Sequence, residues 1–269
     1  MWRRSRASAS HRSLKGGLPV RTDRSPMRDP RTVARDIPGV LDVLFPRLTA
    51  GLVNSLNGAM FAFEGIEPLH EPDIEASTLQ NAMLFEISVA RAENDIFEGG
   101  TASWEDCLAL ASSRQRRHFD AQIPAFLEPP DISIASQAAR NLVSMLKAIV
   151  AQRHGAALER GPLIPGLGWI ASGNGDFAIK RTLIEVKHTA RNFGAGDFRQ
   201  VLMYWLLKYA RAIEGDGPIW SEVLLLNPRR NASLLLNYDH VLRSASASSN
   251  RVELVELLRS AVGQDFDRR

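Results

Sequence analysis

Asp176, Glu185 and Lys187 are the residues whose types and spacing could do chemistry together. They stand in the run Gly173-Asn174-Gly175-Asp176-Phe177-Ala178-Ile179-Lys180-Arg181-Thr182-Leu183-Ile184-Glu185-Val186-Lys187. Apolar stretches on both sides of Lys180-Arg181 predict a hairpin with an even-numbered turn there, which sets Asp176 opposite Glu185. Side chains alternate along a strand, and paired residues share a face of the sheet. Asp176, Ala178, Leu183, Glu185 and Lys187 then fall on one side, and the apolar set Phe177, Ile179, Ile184 and Val186 on the other. Two opposed carboxylates repel, which raises the pKa of one of them, and a divalent cation relieves the repulsion. Oxygen donors of this kind suit Mg²⁺ or Mn²⁺, and magnesium keeps several waters available for reaction. Lys187, beside Glu185, could orient an attacking water or stabilise charge developing on a phosphate. Alone, a Glu-x-Lys strand also describes an ordinary surface ion pair.

A second group lies downstream. Asp197 to about Ile213 has the pattern of a helix, in which Gln200, Tyr204 and Lys208 recur at i, i+4 and i+8 and form one polar stripe. Val201, Leu202, Trp205 and Leu206 lie beside that stripe.

In this order the residues resemble the PD-(D/E)xK nuclease superfamily in its compact RecB-like form. That pattern has an Asp opening the second core strand, Glu-x-Lys in the third, and a following helix with Gln-x-x-x-Tyr. Here Asp176, Glu185-Val186-Lys187 and Gln200 with Tyr204 match it, and Asn227-Pro228-Arg229 resembles a further motif of such nucleases. The similarity covers about residues 138–240. It implies an α/β protein with a restriction-endonuclease-like mixed sheet flanked by helices. It also implies Mg²⁺- or Mn²⁺-dependent phosphodiester hydrolysis, with DNA the expected partner, in phage defence, restriction or repair. By the same resemblance Asp176, Glu185 and the Val186 carbonyl are expected metal ligands. Lys187 would act on the water and the scissile phosphate. Gln200 would complete the catalytic set, and Tyr204, Lys208 and Arg229 would support it or contact the nucleic-acid backbone. Many members add a Glu in the first core helix. The helix expected here at about 136–153 contains no acid, Glu159 lies just past its end, and Glu86 belongs to an earlier helix. Two other readings stay open: a nuclease-fold module that binds nucleic acid or a partner subunit without cutting, and a hairpin whose charges are only an ion-pair cluster.

The elements that must position these residues are legible in outline. Apolar residues at three- and four-residue steps predict one or two helices over about 37–63 and another over 73–97, stopped by Gly99-Gly100. Ser103 is the expected cap of a further helix. Pro124, Pro129 and Pro130 break the pattern before the helix from about Ser136 to Arg153. Strands of a meander are expected at 163–172, 176–179 and 183–187. After the Asp197 helix come strands at 220–226 and 233–238 joined by a turn at Asn227–Asn231, a Ser/Ala linker at 244–249, and a terminal helix over 252–262. The expected organisation is therefore a basic tail without structure (1–36), a helical N-terminal region (37–135) and the site-bearing core (136–269).

Composition sets the remaining bounds. At 269 residues with 45% hydrophobic and 23% charged side chains, the chain can bury a substantial core and has a soluble, globular balance. No apolar run is long enough for a bilayer, so no membrane partner and a cytoplasmic location are expected. The single Cys107 excludes an internal disulfide and a cysteine-based zinc site. Net charge is +3, yet residues 1–35 hold ten basic and two acidic side chains, leaving 23 basic and 28 acidic on the rest. Such an arm could hold nucleic acid through phosphate contacts. It is equally readable as an unstructured extension, with Met27 as an alternative start. The basic run around His118, the adjacent His188, and Trp169 and Trp220 are expected to be a solvated face, a structural histidine and core aromatics. Gly166-Leu167-Gly168 lacks the following helix that a dinucleotide loop needs.

Overall fold

The computed structural model of the protein describes residues 27–37, 39–116, 122–215, 217–248 and 250–267. His118 and residues 1–26 of the basic tail lie outside them. Among the described residues the order is α1 (Pro30–Asp36), α2 (Val40–Leu44), α3 (Ala50–Asn57), α4 (Glu71–Glu75), α5 (Asn81–Phe97), α6 (Trp104–Gln115) and α7 (Pro129–Gln152). Then follow β1 (Leu158–Arg160), β2 (Leu163–Ile164), β3 (Gly173–Asn174), β4 (Phe177–Ile179), β5 (Thr182–Val186), α8 (Ala195–Ala212), β6 (Glu222–Asn227), β7 (Ala232–Asn237), α9 (Tyr238–Ala245) and α10 (Arg251–Asp267).

A mixed five-stranded sheet in the order β1-β4-β5-β6-β7 forms the centre of this α/β protein. The hairpin register is the expected one: Phe177 pairs with Ile184, Ala178 with Leu183 and Ile179 with Thr182. β5 then pairs in parallel with β6, Glu185 facing Leu225, so α8 must cross over between them. β6 and β7 close an antiparallel hairpin whose turn ends at Asn231 with φ 47°.

Both faces of the sheet are covered. Phe177, Ile179, Ile184, Val186, Leu224 and Leu226 pack on α7 through Leu142, Met145 and Leu146 and on α5 through Val89 and Ala92. Leu183, Val223, Leu225, Leu234 and Leu236 pack on the other side with Phe198, Leu202 and Trp205 of α8. The helices α2 and α3 share this second core, through Leu41, Leu44 and Val53. A third cluster joins α5, α6 and α7 around Met83, Ile87, the buried Cys107 and Ala135.

Several elements differ from the sequence expectation. Pro30–Asp36 is a helix, not part of a structureless tail; its Val33 is fully buried, and Asp29 caps it by accepting from the Arg31 and Thr32 amides. The helix expected at 73–97 is two, because Ser77 and Thr78 leave the helical path to bond Asp131. α7 starts at Pro129 rather than near Ser136, since proline is at ease in a first helical turn. No long strand fills 163–172: β2 and β3 make a separate two-stranded ladder, and Leu158–Arg160 supplies the edge strand beside β4. The expected linker at 244–249 is preceded, and partly occupied, by α9, which Asn237 caps. The Ser103 cap is present, reciprocated by Asp106.

Asp131 anchors the α4–α5 junction. It is buried and accepts from Ser77 Oγ at 2.7 Å, the Thr78 and Glu128 amides at 3.0 Å and Thr78 Oγ1 at 3.2 Å. Burial pushes its pKa up, but these donors outweigh burial and the net shift is downward. A depressed carboxyl pKa contributes stability that is present above the unfolded value and lost as pH falls through the folded one. Asp131→Asn is expected to cost about 1.5 kcal/mol at neutral pH, the low end for charge-assisted bonds because the amide keeps part of the network. Urea unfolding should show the difference between the two proteins shrinking below about pH 4. A constant difference across pH would reject the charged form as the source.

Candidate functional site

Asp176 stands one residue before β4, where the main-chain ladder to β5 has ended. Its backbone is held on both sides: its carbonyl accepts from the Gly161 amide at 2.9 Å, and the Gly175 amide donates to Pro162 O at 2.9 Å. A Cβ on Gly175 would lie 3.0 Å from Leu183 Cδ1 and 3.2 Å from Pro162 Cγ, so the chain enters Asp176 through a passage fitted to glycine. In place of a backbone bond, Asp176 Oδ2 accepts from the Val186 amide at 2.7 Å. The N–H and C=O of one strand residue point the same way, so the Val186 carbonyl is directed to the same side as this carboxylate.

Glu185 and Lys187 lie on the face of β5 that meets α8, and both are buried. Lys187 Nζ donates to Glu185 Oε1 at 3.0 Å and to Gln200 Oε1 at 2.8 Å. The Gln200 amide nitrogen donates to Glu185 Oε1 at 2.5 Å and to the Tyr204 hydroxyl at 2.9 Å. Gln200, at 0% exposure, thus clamps the Glu185–Lys187 pair. Asp197 stands 3.9 Å from Lys187 Nζ, pairs with Arg35 of α1 at 3.3 Å, and caps α8 by accepting from the Gly194 amide.

The cluster opens on a cleft of about 490 Å³ between α1 and α5, bordered by Arg31, Arg35, Phe85, Glu86, Lys187 and His188. Burial, and then the neighbouring Glu185, push the Asp176 carboxyl up to about 8, against the opposing pull of Lys187 and the Val186 amide. Burial also raises the Tyr204 phenol well above its ordinary value, so it keeps its proton. His188 is driven down to about 4 by burial and by Arg229, and is neutral at pH 7.

No family model, curated protein or solved structure matches this chain.

Among the described residues, no group of three or more His, Cys, Asp or Glu side chains is gathered so as to hold a metal ion. The smaller set at the hairpin end does fit a hydrated, oxygen-binding cation. Glu185 Oε2 is buried without a hydrogen-bond partner, Asp176 is costly to ionise beside it, and the Val186 carbonyl faces the same space. A buried carboxylate oxygen without a donor is expensive unless a cation or water meets it.

Of the residues singled out in the sequence, Asp176, Glu185, Val186, Lys187, Gln200 and Tyr204 come together. Lys208 does not: one turn further along α8, its ammonium sits 5.4 Å above the Trp220 ring. Nor does Arg229, which is buried in an ion pair with Glu71 and ties α4 to the β6–β7 turn. Asn227 and Pro228 are likewise structural, bonded to Thr189 and Asn141. Arg31, Arg35 and Glu86 border the cleft without having been singled out as part of the site. Glu86 is also 3.7 Å from Arg114. The two arginines lie in a segment whose composition resembles a loose tail, and the acid sits on a helix that precedes α7, so neither is marked by local sequence.

Proposed function

We propose that this chain is a divalent-metal-dependent nuclease of PD-(D/E)xK type, built on a restriction-endonuclease-like sheet. The observation carrying this reading is the buried Glu185–Lys187–Gln200 cluster, set beside the Asp176 carboxylate on the Val186 amide, with Val186 and Lys187 bordering an adjacent cleft. Asp176, Glu185 and the Val186 carbonyl would hold Mg²⁺ or Mn²⁺. When bound, that ion would neutralise the two carboxylates and lower the pKa of a coordinated water.

The chain's own groups have separable tasks. Gln200 fixes the Glu185 and Lys187 heads, so neither reorganises as charge develops. Lys187 presents its remaining N–H to the non-bridging phosphate oxygens. During hydrolysis a water oxygen bonds to phosphorus and the ester P–O bond breaks. The leaving oxygen takes a proton from solvent, and the proton lost by the water passes to solvent. Glu86 of α5 borders the same cleft and would be the candidate helix acid for that ion, since the acid of α7, Asp131, is bonded to Ser77 and Thr78.

The same reading extends to DNA as the partner and to phage defence, restriction or repair as the setting. A second reading, a module of this fold that binds without cutting, is favoured by one observation: only two carboxylates gather on the hairpin, not three. Incubation with plasmid, linear and single-stranded DNA separates the two. Cleavage in Mg²⁺ or Mn²⁺ that stops on chelation is the expected result. No cleavage, with no metal binding by calorimetry, would refute the nuclease and favour the binding module.

A further inference from the structure

Resting on that reading, the cleft narrows the substrate. The reactive groups are recessed: Lys187 is 6% exposed and Glu185 3%, and the described approach to them runs between α1 and α5. A volume of about 490 Å³ lies at the small end for ligand sites, which hold drug-sized molecules in roughly 300–1,000 Å³, the size of one or two nucleotides. A stacked, paired duplex is far wider than one strand, and a lysine only 6% exposed lies below the surface on which it would rest. Enzymes with recessed chemistry take a nucleotide out of the stack or act on a strand already unpaired.

The walls suit one strand. Phe85, half-buried on α5, offers a ring for stacking, and the His188 ring lies 6.3 Å from it and also borders the cleft. Opposite them, Arg31 is exposed, borders the cleft, and makes no ion pair within 4 Å among the described residues. Desolvation works against its charge, but Glu185, Asp176, Tyr204 and Glu86 outweigh this and favour the cation. Nearby arginines are committed: Arg35 to Asp197, Arg114 to Glu93 and Arg229 to Glu71. The buried Val33 and Ala34 dock α1 on the core, so Arg31 is presented from a fixed support.

We propose that the α1–α5 cleft receives a single unpaired nucleic-acid strand and that Arg31 binds the phosphate next to Lys187. In this arrangement Arg31 holds that phosphate from α1, on the other side of the cleft from β5.

The test is fluorescence anisotropy in Ca²⁺ with labelled oligothymidine of about 12 nucleotides, within the span that single-strand grooves cover, against a blunt hairpin duplex of equal length. The single strand is expected to bind at least about tenfold tighter, and Arg31→Ala to lose about tenfold of that affinity, as for one charge-assisted contact. Arg31→Lys should recover part of it, and unchanged thermal unfolding should show that the variants fold. Equal or tighter duplex binding, no binding of either probe, or Arg31→Ala binding like wild type each overturns the proposal. Arg31-dependent single-strand binding without cleavage of any DNA would instead remove the nuclease reading and leave the cleft assignment standing. Rapid cutting of closed duplex, with no dependence on Arg31, would do the reverse.

Discussion

Lys187→Met is expected to lower metal-dependent cleavage by about 100- to 1,000-fold, the usual loss when one preorganised donor to developing charge is removed. The structure sets two effects in competition. Methionine retains the length and packing of the stem but leaves Glu185 buried with Gln200 as its remaining donor. Breaking one partner of a buried charge pair costs about 3–5 kcal/mol, so the metal-free variant should unfold well below wild type. A cation that neutralises Glu185 should restore much of that stability without restoring the rate. The measurement is therefore paired: single-turnover cleavage and thermal unfolding, each with Mn²⁺ and with chelator. Gln200→Ala should lose less activity, because it loosens the Lys187 head without removing its charge. A Lys187→Met protein that folds with Mn²⁺ and still cuts at the wild-type rate would show that the ammonium has no part in the reaction.

The second large effect concerns pH and metal together. The Asp176 carboxyl is raised from the ordinary carboxylate range to about 8. A raised folded pKa contributes stability that is complete below the unfolded value of about 4 and is lost as pH climbs through the folded one. Metal-free protein is thus expected to lose stability, from this group, between about pH 4 and pH 8. A divalent cation replaces the proton, so its stabilisation should grow over the same interval. At a hundred times its dissociation constant it adds about 2.7 kcal/mol, about 5–10 °C in Tm for a chain of this size. Unfolding at about pH 5.5, 7 and 8.5, with Mn²⁺ and with chelator, reads the two curves separating. Asp176→Asn should flatten the metal-free curve and abolish most of the Mn²⁺ shift. A Mn²⁺ shift independent of pH, or intact in Asp176→Asn, would place the cation elsewhere.

The parts of the fold readable from the sequence were those in which a short-range rule and a burial requirement agree. The Asp176–Lys187 hairpin is the clearest. A two-residue turn at Lys180-Arg181 and a strict apolar alternation admit one register, and a slip by one residue would carry Phe177 and Ile184 to the wrong face. The polar stripe of α8 was legible for a related reason: Gln200 and Tyr204 interrupt an otherwise apolar surface on a helix that has to cover a sheet. Other elements depend on distant partners. α1 is short and carries two arginines, and only the surface of α8 gives Val33 and Ala34 something to bury. β1 reads Leu-Glu-Arg and is a strand because β4 presents an open edge to it. α9 has a local signal of its own. Tyr238, Val241, Leu242 and Ala245 have helical spacing after a capping Asn237, but the serines beyond them suggested a linker. At the site, the hairpin and α8 contributions were readable locally. The cleft walls were not, because α1 and α5 meet β5 only in three dimensions.

The parallel pairing of β5 with β6 also governs when the site can exist during synthesis. β5 is the central strand, and one of its two neighbours lies beyond the whole of α8 in the chain. Parallel contacts of this range form late, after the loop-closure entropy has been overcome. A ribosome-bound fragment ending near residue 215 already carries Asp176, Glu185, Lys187 and Gln200. It lacks β6, and with it the edge that pins β5 and the leucines that seat α8 over it. Its carboxylates and lysine would hang on an unfinished edge strand, free to separate. The clustered arrangement would thus arrive in one late step with closure of the sheet, and truncated copies would carry every residue of the candidate site without the site itself.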